Sequence, residues 1–114
     1  MTNKDAGSIT GYHAHVYFDA GTREEARVVR EAVETRFPVT MGRWHEKPVG
    51  PHPCWSYQIA FEPALFGEIV PFLALNREDL VVFLHPLTGD DLADHQDFAI
   101  WMGAKMDLRL EVLT

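Results

Sequence analysis

The chain has 114 residues, 46% of them apolar and 24% charged, with a formal net charge of −7. That length suits a single hydrophobic core, and the acidic balance argues against nucleic acid, whose phosphates need a basic patch. Cys54 is the one cysteine, which excludes an intrachain disulfide and a cysteine-type zinc site, so any metal must be held by imidazoles and carboxylates.

Residues 1–8 carry no apolar signal-peptide core, and no later apolar run approaches membrane-spanning length. A flexible N-terminus at 1–8, one domain over 9–114, a cytoplasmic location and no membrane partner are expected. Ile9 to Phe18 is the first predicted strand. Its second half alternates, placing Tyr12, Ala14, Val16 and Phe18 on one face and His13, His15 and Tyr17 on the other. After Asp19-Ala20-Gly21, Thr22 and Glu25 have capping-box spacing and open a helix from about Arg23 to Arg36. Ala26, Val29, Val33 and Phe37 keep helical spacing on its inner stripe, and Pro38 ends it.

Val39 to Glu46 reads as a second strand. Three prolines within Lys47 to Pro53 make a stiff loop that carries His52. Cys54 to Phe61 is a third strand, with Trp55, Tyr57, Ile59 and Phe61 on one face. Glu62-Pro63 opens a second helix to about Leu75, kinked or shortened at Pro71. Asp79 to Leu84 is an apolar fourth strand stopping at His85-Pro86. Asp90 or Asp91 caps a third helix ending near Met102, with Gly103 beyond it, and Leu108, Leu110 and Val112 alternate in a short last strand. The order β-α-β-β-α-β is the ferredoxin-like arrangement, an α+β fold with an antiparallel sheet, here followed by an extra C-terminal helix and short strand. Both main helices should cover one face. An apolar sheet face is not left in water, so a homodimer is expected.

Six histidines require explanation. His13 and His15, two apart on one strand, project from the same face. His52 sits on the proline-braced loop, His85 ends the fourth strand, and His95 lies on the inner stripe of the third helix. Imidazole suits iron, zinc, copper and nickel, and a three-ligand site with open positions suits Fe(II) oxygen chemistry. A lone histidine is more often a hydrogen-bonded structural group, so the weight rests on several of them sharing one face. His45 reads as a surface residue. Asp90, Asp91 and Asp94 are candidate ligands or imidazole partners, or simply an acidic first helical turn. Trp44, Trp55 and Trp101 are stacking surfaces or core. Arg43 and Arg109 are carboxylate partners or strand-edge cations, and Cys54 is a small buried hydrophobe.

Three segments together resemble the DOPA 4,5-dioxygenase family: Gly11-Tyr-His-Ala-His-Val-Tyr-Phe-Asp19, Gly50-Pro-His-Pro-Cys-Trp-Ser-Tyr57, and His85 to His95 continuing to Trp101-Met-Gly103. The resemblance implies a non-haem Fe(II) enzyme, with zinc acceptable to the same imidazoles. It would bind a small aromatic diol and dioxygen and open the ring on the extradiol side, as in conversion of L-DOPA to 4,5-seco-DOPA. On these family-matching positions His13, His15, His52 and His85 form the ligand pool. His15, His52 and His85 are the favoured three, with His13 either a ligand or an acid/base group. His95 is assigned to proton transfer or to orienting a ligand. Two alternatives remain open: a non-catalytic ferredoxin-like dimer binding a metal or aromatic ligand, and a cofactor-free monooxygenase of the dimeric α/β-barrel type.

Overall fold

The computed structural model describes residues 3–114. Five strands form one antiparallel sheet in the order β2-β3-β1-β4-β5. They are β1 (Tyr12–Phe18), β2 (Thr40–Met41), β3 (Trp55–Phe61), β4 (Val81–Pro86) and β5 (Ile100–Met102), with helices α1 (Arg23–Arg36), α2 (Phe66–Asn76) and α3 (Asp91–His95) between them. The first four strands and first two helices are the expected ferredoxin-like α+β fold. Among the described residues, no helix is long and apolar enough to cross a membrane.

β1 lies at the centre, paired with β3 on one side and β4 on the other, so its two faces separate two environments. Ala14, Val16 and Phe18 face α1 and α2. With Ala26, Val29, Val33, Ile69, Leu73, Tyr57, Ile59, Val82 and Leu84 they make one buried core. Each large apolar side chain buried there stabilises the fold by ~2 kcal/mol. The Tyr57 hydroxyl donates to the Ala26 carbonyl at 2.7 Å, tying β3 to α1 without leaving a buried polar group unpaired.

Several local expectations are corrected. The Thr22 capping box does not form: the Thr22 hydroxyl instead accepts from the Asp19 backbone N–H, and the Asp19 carboxylate accepts from Gly21 and Thr22 N–H, closing the turn before α1. The second strand is two residues long, because the chain bulges after Gly42 and touches β3 again only at the His45–Ser56 bridge. The bulge accommodates Trp44, whose ring stacks against Tyr57 at 5.6 Å and lies 4.3 Å from Phe18. A 3-10 turn, Pro63–Leu65, precedes α2, and Pro71 lies inside that helix. β4 runs on through His85 and Pro86 instead of stopping before them.

The largest departure is at the C-terminal end. The third helix stops at His95, and Ile100–Met102 pairs with Leu84–Val82 as β5. Phe98 to Met102 is a short apolar run that periodicity assigns to either class; the free edge of β4 supplies a hydrogen-bonding partner and decides it. Gly103, at φ +91, terminates β5, and a Cβ there would meet Arg77 Nη1 at 2.7 Å. The expected last strand is absent, and Leu110–Leu113 is a 3-10 turn. Ala6–Ser8 forms another short 3-10 turn.

The sheet face away from α1 and α2 is not an open apolar surface. It carries the histidines and is roofed by α3, the proline loop and the C-terminal segment, which meets that loop through Arg109.

Candidate metal centre

Strand pleating and register build the site. His13, His15 and Tyr17 are alternate residues of β1, while Phe83 and His85 are alternate residues of β4 on the same face. His13 pairs directly with His85, and His15 with Phe83. The ligand atoms of His13, His15 and His85 all lie within 4.8 Å of one another. Nε2 of His15 and Nε2 of His85 are 3.1 Å apart. Two imidazole nitrogens each ~2.1 Å from one ion are separated by roughly 3.0–3.4 Å at octahedral or tetrahedral angles, so this spacing fits a shared metal. It also permits a direct hydrogen bond between the rings when no metal is present.

The outer nitrogen of His85 is already committed. Its Nδ1–H donates to the Pro86 carbonyl at 2.9 Å, which leaves Nε2 as the lone pair directed at His15. Burial keeps the rings neutral. His85 is pushed down to about 4 by burial, partly opposed by the Pro86 hydrogen bond. His15 is held well below the ordinary range by burial and then by the neighbouring His52, His85, His13 and His95. His13, more open to solvent, is lowered by burial and by His95. Neutral imidazoles present lone pairs at pH 7 without first releasing protons.

The other expected residues surround this triad. The His52 ring lies 4.1 Å from the His15 ring, and its Nδ1 is 2.6 Å from the Tyr17 hydroxyl. Burial, followed by His95, lowers His52 to about 4. Its loop is held by Gly50 at φ +53, by the His52 N–H donating to Val49 O, and by Arg109, which donates its backbone N–H to Pro51 O and its guanidinium to Gly50 O, each at 2.9 Å. Arg109 is therefore a loop clamp. His95 is 4.0 Å from the His85 ring, with Nδ1–H donating to Asp91 O at 2.7 Å. It reaches the cluster from the end of α3, not from a stripe running on to Met102.

Two of the three acidic residues near α3, Asp90 and Asp94, serve the fold through their side chains. Asp90 caps the helix by accepting from Ala93 N–H, and buried Asp94 accepts from the Thr88 backbone and hydroxyl. None of the three falls among the convergent ligand atoms. Trp101 stacks on Phe83 at 4.6 Å and extends the histidine face with an aromatic wall, whereas Trp44 and Trp55 pack against the core. Cys54 is half-buried with its thiol 3.8 Å from Met106 Sδ.

His45 was missed. Its bridge to Ser56 puts it on the histidine face, where it lines a cavity of about 220 Å³ with His15, His52, Arg43 and Gln58. The bulge beside it shifts the alternation by one residue, so strand periodicity alone could not have placed it.

The comparisons with known proteins agree with this frame. The profile of the Dopa 4,5-dioxygenase family matches residues 12–112. The chain is 33% identical over 111 residues to DOPA 4,5-dioxygenase of Amanita muscaria, covering 90% of this chain and 49% of that protein. It is 32% identical over 121 residues to an uncharacterized 21.2 kDa protein of Botryotinia fuckeliana, covering 96% and 66% respectively. The chain thus spans about half of one curated relative and just under two thirds of the other. A 1.46 Å crystal structure of a Nostoc punctiforme protein, provisionally described as a dioxygenase, is 50% identical with a TM-score of 0.96, covering 97% of this chain and 96% of that one. With the match running through all five strands and every histidine of the cluster, the chain belongs to the Dopa 4,5-dioxygenase family.

Proposed function

We propose that this protein is a dioxygenase that opens the ring of a catechol, such as L-DOPA, on the extradiol side, with Fe(II) held by His13, His15 and His85. One observation carries the reading: three neutral imidazoles from two neighbouring strands converge within 4.8 Å on the face roofed by α3 and the His52 loop. Fe(II), when bound, supplies open coordination positions and the electron transfer that lets a diol react with dioxygen.

The chain's own residues do the rest. β1 and β4 hold the three imidazoles in register, so little entropy is lost on binding the ion. Trp101, half-buried and backed by the buried Phe83 ring, offers a stacking surface for an aromatic ring. His52 and His95 flank the triad, 4.1 Å from the His15 ring and 4.0 Å from the His85 ring, and would exchange protons with a diol bound there. Zinc would occupy the same three nitrogens without supporting oxygen chemistry.

Anaerobic reconstitution with Fe(II), followed by L-DOPA or catechol and then air, should give iron-dependent oxygen uptake and a yellow semialdehyde. Uptake that proceeds equally without iron would overturn the reading in favour of a cofactor-free monooxygenase. No uptake with any catechol would overturn it in favour of a binding protein.

A further inference from the structure

Tyr17 shares the β1 face with His13 and His15, yet metal binding alone gives it no role. Its hydroxyl lies 2.6 Å from Nδ1 of His52, and both residues are buried. Among the described residues, no other hydrogen bond reaches the phenol or the His52 ring. The direction of this bond follows from three considerations. A phenol is a stronger acid than a neutral imidazole N–H. A 2.6 Å separation belongs to the O–H donor range and is shorter than N–H donors normally reach. The reverse arrangement, Nδ1–H donating to the phenol oxygen, would leave a buried hydroxyl hydrogen with no acceptor. The phenol therefore donates to Nδ1, and the proton of neutral His52 resides on Nε2.

This is the opposite of what the neighbouring rings do. His85 and His95 each donate Nδ1–H to a backbone carbonyl, of Pro86 and Asp91, which leaves Nε2 as a lone pair. A metal ligand needs that lone pair. His52 has its Nδ1 lone pair occupied by Tyr17 and a proton on Nε2.

Resting on the metal-centre reading above, we propose that Tyr17 is a positioning residue. It holds His52 as the Nε2–H tautomer, keeps it out of the ligand set, and makes it a hydrogen-bond donor in the cavity it lines with His15. The ligand class such a donor serves is an anionic oxygen, as on a deprotonated diol. The histidine-rich face would then divide its labour by hydrogen-bond partner: rings backed by carbonyls accept or ligate, and the ring backed by a phenol donates.

Long-range ¹H–¹⁵N spectra of Zn(II)-loaded, ¹⁵N-histidine-labelled protein test this, with His52 assigned by its absence in His52→Gln. The expected spectrum of the unsubstituted protein has His52 protonated on Nε2 and bare on Nδ1. Tyr17→Phe should convert that single tautomer into a mixture. Zn(II) affinity should change less than about threefold in either variant. A His52 ring protonated on Nδ1 would overturn the proposal, as would loss of Zn(II) from folded His52→Gln. The spectrum of the unsubstituted protein decides the tautomer even if a variant fails to fold. No readout here is turnover, so absent oxygen uptake would sink the dioxygenase reading and leave this one to stand or fall separately.

Discussion

The two faces of β1 are built from one seven-residue strand, yet they obey different rules. Ala14, Val16 and Phe18 are buried against α1 and α2, where volume and apolar area decide everything. His13, His15 and Tyr17 point the other way, two of them equally buried, but every one is a polar group whose partner must be specified. The helix-covered face contributes stability. The histidine face gives some of it back, because four imidazoles are held neutral in a space where each would rather be hydrated. The candidate site lies on the face that folding energetics would leave apolar, a pattern expected where a site is worth more than the stability it forfeits.

The sharpest way to break the comparison is on the histidine face. His85→Ala should lower Zn(II) or Fe(II) affinity about a thousandfold, ~4 kcal/mol, while the metal-free protein melts within a few degrees of the parent. Isothermal titration and thermal melts check this; metal binding that survives unchanged would remove His85 from the centre.

Acid should act through the same face. His52 and His85 titrate near 4 in the fold because burial opposes their charged forms, against ~6.5 in the unfolded chain. Between these values the unfolded chain binds more protons, so stability of the metal-free protein falls as pH drops from 6.5 towards 4 and levels off below. Each of the two histidines contributes on the order of 3 kcal/mol to that loss. Urea midpoints measured across this window should show it, and a flat profile would mean that the rings are hydrated.

On the helix face, Leu73→Ala should cost ~3 kcal/mol of stability through an unfilled cavity, with metal stoichiometry unaltered in the folded protein. A loss of metal without a loss of stability would show that the faces are not separable. The smallest effect belongs to the roof. Arg109→Ala removes the guanidinium bond to Gly50 O but keeps the backbone bond to Pro51 O. It should cost ~1 kcal/mol and speed amide exchange at His52, leaving the rest of the sheet protected.

How far the sequence could be read depended on whether a local pattern had one physical solution. β1 and α1 did: period-2 alternation and an apolar helical stripe ending at Pro38 each permit a single structure, and α1 runs from Arg23 to Arg36 as expected. The ferredoxin-like order followed from those elements. That His13 and His15 share a face was equally legible, since it is a property of any strand.

The remainder needed partners that no single segment contains. Phe98 to Met102 contains a strand because β4 had a free edge, whereas Leu108 to Val112 pairs with no strand and ends in a 3-10 turn. His45 joined the histidine face through a bulge whose extra residue is visible only in the pairing. The direct opposition of His13 and His85 is a matter of register, and the tautomer of His52 is a matter of where Tyr17 places its hydroxyl. Composition and spacing thus determined which groups could bind a metal and which strand would carry two of them. Only the tertiary structure decided which imidazoles meet and which nitrogen of His52 is free, because strand register sets the first and a tyrosine 35 residues away sets the second.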